Sequence, residues 1–132
     1  MARQIRVLLV ADDGVACAVA ANRLITYGLD VVTARDGEDA VEQLKANSRI
    51  DELVTDADMG GTCDGLTTAT LARLLRPKID VIYVSRLPFR IPEQSKVSGA
   101  PCVRSPYDPH QLVSVISSLH HWQHEGTLRR AA

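Results

Sequence analysis

Carboxylates follow two apolar segments that have the composition of buried strands. Asp12 and Asp13 come directly after Ile5–Ala11. Asp56 comes directly after Asp51–Thr55. Carboxylates that meet at one edge of a sheet repel each other, so such a cluster is stable chiefly when a divalent cation lies between them. Because oxygen ligands favour Mg²⁺, the pattern predicts a magnesium site and makes Asp56 a candidate nucleophile.

Two serines occupy corresponding positions later in the chain. Ser85 follows the apolar run Ile79–Val84, and Ser105 follows a short strand predicted over Pro101–Arg104. The carboxyl ends of parallel strands lie at one edge of a sheet, so these hydroxyls are expected beside the carboxylates. There Ser85 is a candidate donor to an incoming phosphoryl oxygen. One Asp at a strand end is more often a helix cap, but acids at two such ends together favour the metal and phosphoryl interpretation.

The segments between these strands have helical patterns, apart from a further strand predicted over Leu29–Ala34. The predicted helices are Val15–Tyr27, a helix capped by Asp36 that runs to Leu44, Leu66–Leu75, an irregular helix near Pro92–Val97, and a last helix from Asp108 to about Trp122. In the first helix the apolar positions at helical spacing are Val15, Val19, Leu24 and Tyr27. This alternation predicts an α/β fold, a doubly wound parallel sheet of five strands with helices on both faces.

The composition is typical of one soluble domain. The 132 residues suffice for one hydrophobic core, and 45% hydrophobic with 23% charged residues argues against a disordered or disulfide-framed chain. A net charge of -1 excludes a strongly basic nucleic-acid binder. The odd number of cysteines, with no CxxC spacing, and the absence of a long apolar run predict a cytoplasmic protein without nucleic-acid or membrane partners.

Four segments together give a specific resemblance to a known family. They read VLLVADD at residues 7–13, LVTDADMGGTCDGL at 53–66, VIYVS at 81–85 and VRSPYDP at 103–109. A chain with this combination resembles the receiver domain of response regulators, over about residues 5–119. The resemblance implies a flavodoxin-like sheet with strand order 2-1-3-4-5. It also implies one stand-alone receiver domain over residues 1–132, acting in bacterial two-component signalling without an output domain.

The resemblance assigns roles to the acids at the strand ends. Receiver domains accept a phosphoryl group from a histidine kinase or a phosphotransfer protein on a strand-end aspartate, here Asp56. Mg²⁺ is then expected on Asp12, Asp56 and the backbone carbonyl of Asp58, with Asp13 as the substitute for a family carboxylate that is Ala11 in this chain. The resemblance further implies a cis peptide bond before Pro106.

Receiver domains are switches rather than enzymes, and the resemblance implies that this one signals by protein–protein contact. Its expected partners are a downstream protein and, as a further possibility, a second copy of the chain. The expected contact face combines the helix near Pro92–Val97, the fifth strand and the last helix.

The chain departs from the family at several positions of the expected site. The usual lysine before the cis proline is Ser105, and the usual switch aromatic of the fifth strand is Cys102. Arg104 is a neighbouring cation, but alternating side-chain direction along a strand predicts that it points away from the pocket. Asp58 adds a negative charge near the acceptor. A hydroxyl supplies no charge, so these changes predict impaired phosphotransfer.

Two alternatives remain at the level of the sequence. One is a pseudo-receiver, an interaction module that keeps the fold without phosphoryl control. The other is a haloacid-dehalogenase-like phosphohydrolase, because Asp56-Ala57-Asp58 after an apolar strand mimics the nucleophile and general acid of that superfamily. Such enzymes place this motif on their first strand and need a later lysine and further acids, which disfavours the second alternative.

Overall fold

The computed structural model describes the backbone of residues 4–131 and the side chains of residues 4–120. Strands and helices alternate along this part of the chain. The strands β1 to β5 are Arg6–Val10, Asp30–Ala34, Glu52–Asp56, Asp80–Ser85 and Cys102–Arg104. The helices α1 to α4 are Gly14–Thr26, Gly37–Ala46, Gly65–Leu75 and Pro109–Ala131. The parallel sheet has the order β2-β1-β3-β4-β5, which confirms the predicted fold.

The strands are apolar on both faces because helices cover both faces of the sheet. Leu8 and Val10 of β1 face one core, which includes Ala40 of α2 and Ala69 of α3. The alternate residues of the strands face a second core, formed with α1 and α4. Members of that core from β1, α1 and α4 are Val7, Leu9, Cys17, Ala21, Leu24, Leu112 and Ile116. The two cores fix the sheet between its helices and hold its carboxyl edge in place.

Helix α1 forms where the sequence predicts a helix, and small residues contribute most of its buried face. Its buried residues are Cys17, Ala21 and Leu24, whereas Val15 is 77% exposed and Val19 is also exposed. Both sets of residues recur at helical spacing, so the spacing alone does not choose between them. The small side chains at positions 17 and 21 sit against the sheet. Of the four apolar positions named from the sequence, Leu24 is buried, whereas Val15, Val19 and Tyr27 are exposed.

Between β4 and β5 the chain forms two short 3-10 turns, Pro88–Arg90 and Glu93–Ser95, instead of the helix predicted near Pro92–Val97. Proline disfavours helical conformation in the residue before it, so Pro92 favours the extended backbone of Ile91 that ends the first turn. The segment is tied to the sheet by the hydroxyl of the buried Tyr83, which accepts a 3.0 Å hydrogen bond from the amide of Val97. The expected contact face therefore has a 3-10 turn where a helix was predicted.

The last helix begins as predicted and ends later. Asp108 accepts a hydrogen bond of 2.8 Å from the amide of His110, and Pro109 is the first helical residue. The helix continues to Ala131, beyond the end predicted near Trp122, whose side chain lies outside the described residues. The Ser105–Pro106 bond is cis, as predicted. No helix in the described part of the chain combines the length and apolar character that a bilayer span needs.

Candidate functional site

The residues predicted to carry chemistry meet at the carboxyl edge of the sheet. Asp12 and Asp13 follow β1, Asp56 is the last residue of β3, and Ser85 is the last residue of β4. In the pairing of β3 with β4, Asp56 lies opposite Val84, which is the residue before Ser85. Because all strands are parallel, these ends lie side by side.

Asp56 is half-buried and held by the backbone of its own loop. Its Oδ1 accepts a 2.8 Å hydrogen bond from the amide of Asp58. Burial raises the pKa of Asp56 above its ordinary value, and the negative charges of Asp58 and Asp12 add to the increase. The Asp58 amide and the positive charge of Arg86 act in the opposite direction. Asp56 is therefore a partly desolvated carboxylate with acidic neighbours, which a nearby cation would stabilise.

Asp13 serves first as a helix cap. Its Oδ1 accepts hydrogen bonds of 3.1 Å from the amides of Val15 and Ala16, which begin α1. Asp12 is exposed, and its charge reaches Asp56. Within the described residues no group of three or more His, Cys, Asp or Glu side chains is arranged to hold a metal ion. Mg²⁺ commonly uses one or two carboxylates and keeps several waters, so Asp12 and Asp56 fit such a partly hydrated site.

The side chain of Asp58 turns away from Asp56 toward the end of β4. Its Oδ1 accepts a 2.7 Å hydrogen bond from the Ser85 hydroxyl, and its Oδ2 accepts one of 2.8 Å from the Arg86 amide. The Arg86 Nε lies 3.6 Å from the same Oδ2. Burial alone would raise the pKa of Asp58, but these hydrogen bonds and the Arg86 charge outweigh it and hold the pKa below its usual value. Asp58 is therefore a well-satisfied carboxylate anion.

A cavity of about 240 Å³ opens beside Asp56, between α1 and the sheet. Its wall is mostly apolar, with polar groups contributed by residues that include Asp56, Ser105 and Tyr107. Ser105 thus reaches the predicted site but brings no charge to it. Arg104 is exposed at the end of β5, on the opposite side of the strand from the buried Val103, as the alternation of the strand predicts.

Cys102, at the predicted switch position, pairs with Tyr83 across β4 and β5 and packs against the core between the sheet and α2–α3. Burial raises the pKa of the Cys102 thiol, and the charges of Lys96 and Asp58 act on it in opposite directions. The thiol is therefore a small apolar group within electrostatic range of the site.

A family model described as the response regulator receiver domain matches residues 7–116. The chain belongs to the response regulator receiver domain family. Receiver domains of this family act in two-component signalling as switch modules, and the predicted resemblance is confirmed.

Solved structures and one curated protein show how far the likeness extends. The chain is 26% identical to a response regulator receiver protein from Sinorhizobium medicae WSM419, with a TM-score of 0.78 over 89% of this chain and 94% of that one. A CheY-like receiver domain protein from Methanospirillum hungatei JF-1 has the same fold at 20% identity, with a TM-score of 0.80 over 94% and 99% of the two chains. Transcription factor SKN7 of Chaetomium thermophilum is 36% identical over 81 residues, which are 61% of this receiver domain and 10% of that protein. The receiver domain thus spans about a tenth of the length of that relative.

Sequence reasoning missed three residues of the receiver site. Arg86 brings its cation to the acidic edge, and its only sequence signal is its place directly after the strand-end serine. Tyr107 lines the cavity with Asp56, and burial raises the pKa of its phenol. Gly65 packs against the backbone at Asp56 and Ala57 so closely that a Cβ atom there would overlap it.

Proposed function

We propose that this receiver domain is a cytoplasmic signalling switch that accepts a phosphoryl group on Asp56. The donor is a histidine kinase or a phosphotransfer protein, and the signal passes on through contact with a downstream protein. The observation that carries the proposal is the Asp56 carboxylate at the carboxyl end of β3, half-buried and oriented by the Asp58 amide. A fixed, partly desolvated carboxylate is suited to attack in line on phosphorus.

The transfer is a displacement at phosphorus. An Asp56 carboxylate oxygen forms a new bond to the phosphorus of a phosphohistidine while the phosphorus–nitrogen bond breaks. The imidazole leaves with that electron pair and takes a proton from solvent, so the product is an acyl phosphate on Asp56. Negative charge accumulates on the transferring group, so a positive charge nearby stabilises the transition state.

Asp12, Asp56 and the backbone carbonyl of Asp58 are the groups that would hold Mg²⁺ in this proposal, with Asp13 secondary because it caps α1. When bound, the ion neutralises charge on the transferring oxygens. The protein's own contribution is to orient Asp56 and to keep Ser105 and Tyr107 at the adjoining cavity.

Transfer is slow in this proposal because positive charge is scarce at the edge of the sheet. Ser105 offers only a hydroxyl, and Arg104 is exposed at the end of β5. Arg86 is a cation that acts on Asp56, but 78% of its side chain is exposed, so water screens much of its charge.

A second candidate function is a phosphorylation-independent interaction module. The contact between Asp58 and Ser85 favours it, because a carboxylate already occupies the hydroxyl that a phosphoryl group would use. In that case partner binding is insensitive to the chemical state of Asp56.

The deciding experiment is intact mass spectrometry after incubation with Mg²⁺ and phosphoramidate. The phosphoacceptor proposal predicts a slow gain of one phosphoryl group by the wild type and none by Asp56→Asn. Equal labelling of both proteins would place the modification elsewhere. No labelling of the wild type or of variants with added positive charge would favour the interaction module.

A further inference from the structure

Asp58 uses its main chain and its side chain in opposite ways. Its amide donates to Asp56 Oδ1 at 2.8 Å and so orients the acceptor. Its carboxylate points to the end of β4, where both oxygens accept hydrogen bonds, from the Ser85 hydroxyl at 2.7 Å and from the Arg86 amide at 2.8 Å. Oriented donors that already hold a carboxylate form an anion site, and here its occupant belongs to the chain itself.

The Ser85 hydroxyl has no second proton to give. A hydroxyl donates one hydrogen bond, and Asp58 takes it, while the oxygen accepts from the amide of Leu87 at 3.1 Å. Ser85 is only 1% exposed, so water cannot readily replace the contact. Any other anion that needs the Ser85 proton must first displace Asp58.

A phosphoryl group on Asp56 would be such an anion. Like a carboxylate it presents acceptor oxygens and negative charge, which hydrogen-bond donors and a cation stabilise. The end of β4 offers both beside the acceptor, because Asp56 lies opposite Val84, the residue before Ser85, and the Arg86 charge acts on Asp56. The carboxylate of Asp58 and the phosphoryl group therefore compete for the same donors and also repel each other.

We propose that the Asp58 side chain is an internal competitor of the phosphoryl group, which withholds Ser85 and Arg86 until it is displaced. This inference rests on the proposed phosphorylation of Asp56 and adds its regulation. It makes Asp58 a positioning residue, since it acts through Ser85 and Arg86. Removal of the carboxylate should speed phosphorylation, even though the same loop and its orienting amide remain.

The test compares phosphoramidate labelling of wild type, Asp58→Ala and Asp58→Asn with Mg²⁺. We expect Asp58→Ala to label about tenfold faster, since a charge-assisted contact no longer has to break. Glu93→Ala is the matched control because it removes one exposed negative charge from the segment after β4 without touching the donors. It should label at the wild-type rate. Adding Ser85→Ala to Asp58→Ala should abolish the gain, because the freed hydroxyl is what accelerates transfer.

A second readout does not depend on labelling. In NMR spectra the Arg86 and Leu87 amide resonances should shift in Asp58→Ala and stay in place in Glu93→Ala. Unmoved Arg86 and Leu87 resonances in Asp58→Ala would overturn the inference, because the contact would be absent. Shifted resonances with wild-type labelling would overturn the competition and leave the proposed function standing. No labelling of any variant, including Asp58→Ala combined with Ser105→Lys, would overturn both.

Discussion

The carbonyl oxygen of Asp56 packs against Gly65, and a Cβ atom at position 65 would overlap both that oxygen and the Cα of Ala57. Gly65 is the first residue of α3, and Asp64 caps the helix by accepting a 2.8 Å hydrogen bond from the amide of Thr67. The start of α3 is thus fixed directly against the acceptor. This contact brings the two ends of the loop over residues 57–64 together, because Gly65 packs against the backbone of Asp56.

Gly65→Ala should therefore damage both stability and phosphorylation. The added methyl must push the backbone of Asp56, so we expect a loss of about 1–3 kcal/mol of unfolding free energy, measured by urea denaturation. Labelling of Asp56 should slow as the carboxylate moves. Gly60→Ala is the control from the same loop, because a Cβ there meets nothing within 4 Å. If Gly65→Ala has the urea midpoint and the labelling rate of the wild type, the close contact between Gly65 and the Asp56 backbone is contradicted.

The sequence predicted those features for which a local residue pattern is compatible with one structure only. The apolar strand sequences predicted the sheet, and the acids that follow them predicted which edge of the sheet carries the site. The pair Asp108-Pro109 predicted the start of α4. The spacing of apolar residues left the buried face of α1 open, because two sets of residues in that helix recur at helical spacing. The sequence also could not give tertiary contacts, since no local pattern reveals that the Asp58 side chain bonds to Ser85 or that Gly65 touches Asp56.

Magnesium binding should be weak and should depend on Asp12. A site with two carboxylates and several waters binds Mg²⁺ loosely, and removal of either carboxylate leaves too little charge to hold the ion. Isothermal titration calorimetry should detect binding to the wild type and none to Asp12→Ala. Glu42→Ala, which removes an exposed carboxylate on α2, should bind like the wild type. Unchanged affinity in Asp12→Ala would remove Asp12 from the metal site.

Stability should fall as pH rises because of Glu52, at the start of β3 on the opposite edge of the sheet. Burial raises the pKa of Glu52 from 4.5 to about 9, with further contributions from Asp80 and Asp51. Above pH 4.5 the unfolded chain releases this proton while the folded protein keeps it up to about pH 9. The unfolded state therefore gains relative stability across that window, by at most about 1.4 kcal/mol per pH unit from this group.

Glu52→Gln should remove this part of the pH dependence. The glutamine amide has nearly the same shape as the carboxyl group and does not titrate. The unfolding free energy of Glu52→Gln should therefore fall less than that of the wild type between pH 6 and pH 8.5. Urea unfolding at the two pH values measures the difference, and Glu42→Gln serves as the exposed control on α2. Parallel losses in wild type and Glu52→Gln would show that Glu52 does not hold its proton in the folded state.

Ser105→Lys should restore positive charge to the phosphoryl site. Ser105 and Asp56 line the same cavity, so a lysine stem can extend there and place its ammonium beside the transferring group. We expect labelling at least several-fold faster than the wild type, since 1.4 kcal/mol of transition-state stabilisation gives about tenfold. Ser105→Met fills similar space without charge and should not accelerate labelling. A wild type as fast as Ser105→Lys would mean that another cation, such as Arg86, already suffices.

Chemical mapping of the modified residue tests the central proposal most directly. After incubation with Mg²⁺ and phosphoramidate, borohydride reduces an aspartyl phosphate to homoserine, which peptide mass spectrometry locates. We predict this conversion at Asp56 alone, to a small extent in the wild type and to a larger extent in Ser105→Lys, with no conversion in Asp56→Asn. Conversion at Asp12, Asp13 or Asp58 instead, or no conversion in either protein, would contradict the assignment of Asp56 as the phosphoryl acceptor.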